Sequence, residues 1–272
     1  MPHPDLRILS LGAGVQSSTL ALMIEKKEVP AIDAAIFADT QAEPKEVYRH
    51  LEYLKTQVSY PIYQVTAGNL REDVIEASKG LGKNYSVPFF TKNPDKPEKR
   101  RGMLQRQCTR NYKIRPVIKH IRELLGIKKH KNVKKGTQVE LLLGISTDEA
   151  ARMKPNSLKY ITNIFPLIDK KMTREDCIQW LDQNNYHKPP RSACTFCPYR
   201  SPKEWLHLKE TQPEDWKEVI QFDQLIRVPP PSSKVKELLY LHEDCLPISE
   251  INFSDKVSQN NFNNECEGMC GL

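Results

Sequence analysis

The chain has 272 residues, 39% hydrophobic and 28% charged, with a mean hydropathy of −0.59. That length can bury a large core as one generous domain or a domain with an appendage, and no apolar run reaches the roughly 18–20 residues of a membrane span, which excludes a transmembrane protein and a membrane partner. The net charge of +7 favours anionic partners, and seven cysteines behind an N-terminus without a secretory pattern point to the cytoplasm, where thiols serve metals or catalysis.

Residues 6–11 (LRILSL) read as a buried strand, followed by Gly12-Ala13-Gly14 and a helix over 17–27 carried by Leu20, Met23 and Ile24. A second strand over 34–38 ends in Asp39-Thr40, and a helix from near Pro44 places Val47, Leu51 and Leu54 on one face. A strand at 62–65 and a helix at 70–77 come next, then a long loop over 80–102 rich in Gly, Pro, Asn and Lys. Helix is expected around 115–125 and a strong strand at 139–145. From about residue 173 the pattern is helix and loop with Pro-rich breaks, including an apolar helix over 235–241. Strands alternating with helices and apolar on both faces predict an open, mostly parallel α/β sheet with helices on both faces, plus a mainly helical C-terminal portion. The expected division is the α/β domain over 1–170 and a helical and loop region over 171–272.

Between residues 79 and 135 stand 18 Lys and Arg against Asp95, Glu98 and Glu123, a local +15 in a body of −8. Such a run is ordinarily a solvated loop. At this length its self-repulsion also points to an anionic partner such as nucleic acid, with Lys99, Arg100, Arg101, Arg106, Lys113 and Arg115 as candidate contacts.

Residues 12–18 (GAGVQSS) lie between a strand and a helix, where backbone N–H groups and the helix dipole form an anion site. Glycines at 12 and 14 permit close approach, and Ser17 and Ser18 can add hydroxyl donors. The alternative is an ordinary glycine turn with a serine cap. Cys194-Thr-Phe-Cys197 has a spacing shared by zinc sites, iron–sulfur sites and redox dithiols. Cys177 reads as a small core residue and Cys245 as a buried thiol. Cys266 and Cys270 stand in a polar tail with no core to bury them. Asp148, Glu149 and Arg152 follow the strand at 139–145 and are placed either to meet phosphate and Mg2+ or to cap a helix start. Trp180, Trp205 and Trp216 read as packing residues, and the histidines show no ligand spacing.

In order along the chain, GAGVQSS, Phe37-Ala38-Asp39-Thr40 with Glu43, CTRNYKIRPV (108–117), LGISTDEAAR (143–152), residues 163–181 and SACTFCP (192–198) resemble motifs of the PP-loop ATP pyrophosphatases and adenine-nucleotide α-hydrolases, in their sulfonucleotide (APS/PAPS) reductase branch. The resemblance implies ATP with Mg2+ held by Ser10, Gly12, Gly14, Gln16, Ser17 and Ser18. It has Phe37, Asp39 and Thr40 framing the adenosine, and Gly144 and Arg152 completing the site. Asp39 is then also a candidate catalytic carboxylate. It further implies a 4Fe–4S cluster on Cys108, Cys194 and Cys197, with Cys270 as a further ligand and zinc as the alternative metal, and a nucleophilic Cys266 or Cys270. Two positions depart from the pattern: Gln16 stands where the loop has Asp, and Thr109 where the family has the second cysteine of a pair. The function expected is an ATP-dependent, cluster-dependent sulfurtransferase thiolating tRNA or DNA through an adenylated intermediate, with sulfide or a cysteine desulfurase as sulfur donor and a homodimer as one assembly. The alternatives are a thioredoxin-dependent APS/PAPS reductase and a non-catalytic nucleic-acid-binding protein.

Overall fold

β1 (Leu6–Leu11) leads through a glycine loop into α1 (Val15–Glu25), β2 (Ala34–Asp39), α2 (Lys45–Gln57) and β3 (Ile62–Thr66). The chain then passes α3 (Leu70–Ser78), β4 (Phe90–Lys92) and β5 (Gly102–Met103) before a π-helical turn, Thr109–Ile114, that runs into α4 (Arg115–Leu124). β6 (Val139–Leu143), a 3-10 stretch Thr147–Arg152, β7 (Ile161–Ile164), α5 (Pro166–Asp169) and α6 (Arg174–Gln183) follow. α7 (Pro202–Thr211), α8 (Pro213–Ile226), β8 (Leu238–Tyr240) and two short 3-10 turns complete the path. This computed structural model describes residues 4–82, 84–93, 95 and 100–256.

The described residues form two compact units. The first holds the chain up to Ala67 together with Thr109–Ser192, and the second holds Gly68–Cys108 and the residues from Ala193 onward. The boundary expected near residue 170 falls inside the first unit, and the basic window of 79–135 is shared between both.

The first unit is the parallel α/β sheet expected from the sequence, with strand order β3-β2-β1-β6-β7 and every pair parallel. The side-chain alternation of a strand divides its core into two layers. Leu9, Leu11, Ala35, Phe37 and Leu142 pack beneath α1, α2 and α6. Ile8, Ala34, Ile36, Leu141 and Leu143 pack against Ile114, Val117 and Ile121 at the start and along α4. Helices on both faces explain why the inner strands β2 and β6 are almost wholly apolar. Cys177 is fully buried in the α1/α6 layer, as expected of a small core residue.

The second unit is built on a three-stranded antiparallel sheet, order β5-β4-β8, with α3, α7 and α8. Phe196 stacks on Phe222 at 4.1 Å between ring centroids, Phe89 lies beside the same ring, and Trp205, Trp216 and Phe253 form a second aromatic group. Trp205 and Trp216 are thus packing residues. In the first unit Trp180 stacks on Tyr186 and donates to Glu28.

Four local expectations change. α1 starts at Val15, two residues before the expected Ser17, and its cap is Gly14 with no side-chain capping bond, so neither serine serves as the cap. The stretch 80–102 is not all loop, because β4 and the start of β5 lie in it. The apolar helix expected over 235–241 is a strand, β8, paired with β4 through Phe90–Tyr240, Thr91–Leu239 and Lys92–Leu238. β7, absent from the sequence reading, adds the outermost parallel strand beside β6. Among the described residues no helix is long and apolar enough to cross a membrane.

Candidate nucleotide site and thiol turn

The sheet reverses its direction of growth at β1. From there the chain lays β2 and β3 on one side and β6 and β7 on the other. Loops at the carboxyl ends of the two strands flanking such a reversal form a ligand crevice. Here those loops are Gly12–Gly14 after β1 and residues 144–152 after β6.

The first loop is shaped by its own backbone and hydroxyls. Ala13 adopts φ 59°, a left-handed conformation uncommon for a residue with a Cβ. Gly14 is extended at φ −93°, ψ −175°, so α1 begins with no side chain over its first-turn amides. Ser17 Oγ accepts from the Gly12 N–H at 3.2 Å and donates to the Gly14 carbonyl at 3.4 Å. Ser18 Oγ shares a 2.9 Å hydrogen bond with His50 Nε2 on α2. Both hydroxyls, expected to reach a ligand, are engaged within the protein, so of the groups expected to meet an anion only the backbone amides and the helix dipole remain.

His50 is buried and neutral. Desolvation, and then the neighbouring His187, push its pKa down to about 4. No metal-ligand spacing marks it in the sequence. Its signal lay in helical spacing, since it stands three residues after Val47 on the apolar face of α2.

The second loop closes directly onto the first. A Cβ on Gly144 would lie 2.8 Å from Ser17 N and 2.9 Å from Ser17 Cα, so only glycine lets the end of β6 approach the start of α1. Gln16, fully buried, donates from Nε2 to Ser146 Oγ at 3.4 Å and to Glu149 Oε2 at 3.1 Å. Glu149 also pairs with Arg152. Gln16 Oε1 is buried with no hydrogen-bond partner. Asp148 accepts from the Arg174 N–H. Ser146 makes no side-chain cap here, so the acids do not simply open a capped helix. Ser10 is buried within β1 in register with Leu143.

At the end of β2, Asp39 is held by three donors. Its Oδ1 accepts from the Gln41 N–H at 2.7 Å and Tyr48 OH at 2.8 Å, and Oδ2 accepts from Gln64 Nε2 at 2.8 Å. Burial, then that carboxylate, raise the Tyr48 phenol far above its ordinary range. Gln41, at φ 55°, is the left-handed residue after this strand, as Ala13 is after β1. Thr40 is buried beside it, whereas Phe37 points into the α1/α2 layer as a core residue. Glu43 and Lys113 form a buried ion pair at 3.2 Å. Lys113, expected among the nucleic-acid contacts, is therefore neutralised inside the fold and offers a phosphate no exposed ammonium.

The other basic candidates are at or near the surface. Arg100 and Arg115 are exposed. Arg101 donates to the Glu243 carbonyl at 2.9 Å and to its carboxylate at 2.5 Å, and Arg106 lies 5.2 Å from the Tyr199 ring centroid. Lys99, Cys266 and Cys270 lie outside the described residues.

In the second unit, Cys194 and Cys197 close a tight turn, the Cys197 N–H donating to the Cys194 carbonyl at 3.0 Å. Arg200, itself buried, clamps that turn with donors to the carbonyls of Ala193, Cys194 and Thr195 at 3.1–3.3 Å, its guanidinium 5.7 Å from the Trp205 ring centroid. Cys108 belongs to the same unit, anchored through its N–H to the Ser86 carbonyl at 2.8 Å. Among the described residues no three His, Cys, Asp or Glu side chains come together in a group that could hold a metal ion. The three-thiolate set expected from the resemblance is thus not assembled in this structure. Cys245 is buried at φ 53°, its thiol pushed up by burial, in keeping with a non-ligand role.

No family model matches the chain, and no curated protein matches it. Among solved structures the chain is similar to that of phosphoadenylyl-sulfate (PAPS) reductase from Candida auris in its phosphate complex. The identity is 14%, the match covers 69% of this chain and 76% of that one, and the TM-score is 0.44.

Proposed function

We propose that this chain is an ATP-dependent sulfurtransferase that thiolates a base of tRNA or DNA. The observation that carries the reading is the joining of two loops across the sheet reversal, where Gly144 packs on the start of α1 and the Gln16–Glu149–Arg152 bonds tie the 144–152 loop to it, the position at which such a fold receives a phosphate chain. The amides at the start of α1 and Arg152 bind and orient the triphosphate, while the end of β2 around Asp39 and Thr40 receives the adenosine. Gln16 Oε1 and Glu149 are oxygen donors suited to Mg2+, which supplies charge neutralisation on the pyrophosphate leaving group.

The base carbonyl oxygen attacks the α-phosphorus and pyrophosphate departs, giving an O-adenylate. A persulfide on one cysteine of the Cys194–Cys197 pair, charged by a sulfur donor such as a cysteine desulfurase, attacks the activated carbon, and AMP leaves with the original oxygen. The second cysteine then attacks the bridging disulfide. That attack releases the thiolated base and leaves a Cys194–Cys197 disulfide for an external dithiol to reduce. Cys266 and Cys270 are further thiols able to pass sulfur along. A cluster on Cys108, Cys194 and Cys197 would hold sulfide in place of the persulfide, and no step above depends on it.

The test is pyrophosphate release from ATP by anaerobically purified protein, with and without tRNA or DNA, alongside iron and zinc analysis. Release stimulated by nucleic acid, lost in Gly144→Ala, is the expected result. No release, from protein carrying whatever metal it retains, would sink the reading. Sulfite formed from phosphoadenylyl sulfate with a thioredoxin system would instead mark a reductase.

A further inference from the structure

We infer that the second unit carries a pocket for a single unstacked nucleobase, next to the Cys194–Cys197 turn. The inference deepens the proposed function by giving its nucleic-acid substrate a seat, and it rests on that reading. The cavity, of about 200 Å3, is lined among others by Phe90, Tyr199, Arg101, Arg200, His242 and Glu243.

Its size comes first. Pockets for drug-sized ligands run to roughly 300–1,000 Å3, so this one suits a single small ring system and not a whole nucleotide. Its walls come next. Phe90 and Tyr199 each have a guanidinium beside the ring, Arg101 at 6.0 Å and Arg106 at 5.2 Å from the respective centroids. Aromatic rings and arginine planes are the surfaces on which unstacked bases are held, because every base has a π face. In the same lining the Arg101 guanidinium donates and the Glu243 carboxylate accepts, currently to one another at 2.5 Å. The same two groups can read the donor and acceptor edge of a base. The exposed Arg100 adds the positive charge that a phosphate backbone leading to the pocket requires.

Its neighbour gives the pocket its purpose. Pro198 and Tyr199 follow Cys197 directly, and Arg200, part of the pocket wall, is the side chain whose three carbonyl bonds hold the thiol turn. The cavity wall is thus continuous along the chain with the turn that bears both thiols.

Photocrosslinking with a single-stranded oligonucleotide carrying one 5-iodouracil tests the inference on the wild-type full-length protein. The crosslinked peptide should contain Tyr199 or Phe90. Tyr199→Ala should weaken binding of the same oligonucleotide about tenfold with an unchanged salt slope, since it removes a stacking surface and no phosphate-binding charge, and Tyr199→Phe should restore it. Crosslinks confined to other peptides, or no binding of the oligonucleotide, would overturn the pocket. A Tyr199 crosslink in protein that releases no pyrophosphate would leave the pocket standing and remove the thiolation reading. Pyrophosphate release with crosslinks elsewhere would do the reverse.

Discussion

At the residue scale, the site is held by buried contacts between elements distant in sequence, and two of them make sharp predictions. His50 protonates at about pH 4 in the folded chain against about 6.5 when unfolded. The unfolded state therefore binds the proton first as pH falls. The His50 contribution to stability should be full above about pH 6.5, decline between 6.5 and 4, and be lost below, a change of up to about 3 kcal/mol. Urea unfolding across that range measures it, and His50→Leu should flatten this part of the profile. The same variant leaves Ser18 Oγ without its 2.9 Å partner, at a cost of about 1–3 kcal/mol at neutral pH. Gly144→Ala pushes a methyl to 2.8 Å from the Ser17 nitrogen. It should cost about 1–3 kcal/mol in thermal unfolding and weaken ATP binding by calorimetry, because the backbone that must yield is the one that meets the phosphates.

At the element scale, the Cys194–Cys197 turn is rigid because Arg200 bonds three successive carbonyls. Lysine brings a single ammonium in place of that planar fork. Arg200→Lys should therefore speed alkylation of both cysteines and lower the unfolding midpoint, whereas a free-standing turn would show neither change. Helix boundaries were legible where the cap is chemical. Thr173 with Asp176 makes a reciprocal capping box where the helix was expected, and Ser201 with Glu204 makes a second at a start the sequence reading did not single out. They were less legible where the helix is enclosed. Every residue from Val15 to Ile24 is buried, so α1 has no polar face to mark its first turn. β8 was misread as helix because an apolar run of that length fits either element. Its pairing with β4, nearly 150 residues earlier, decides the matter.

At the scale of the whole molecule, the basic window is a feature of sequence that the fold distributes over two units, with Arg100 in one and Arg115 in the other. Binding of a single-stranded polyanion should fall steeply with salt. Arg100→Gln and Arg115→Gln should each reduce the logarithmic slope by about 0.7 for every phosphate they cease to neutralise. An unchanged slope in both would make the window a solvated surface only.

What the sequence determined by itself is the α/β class, the glycine loop between β1 and α1, the core roles of Cys177, Trp205 and Trp216, and the CxxC turn. These follow from periodicity, composition and spacing over a few residues, where local physics suffices. Tertiary structure alone decided that Ser17 and Ser18 turn inward, that Lys113 is buried against Glu43, that Gln16 and Glu149 are partners, and that the chain divides into interleaved units. Each depends on which distant backbone arrives alongside, Glu149 coming 133 residues after Gln16. Close packing and the pairing of buried polar groups settle such contacts, and no local pattern encodes them.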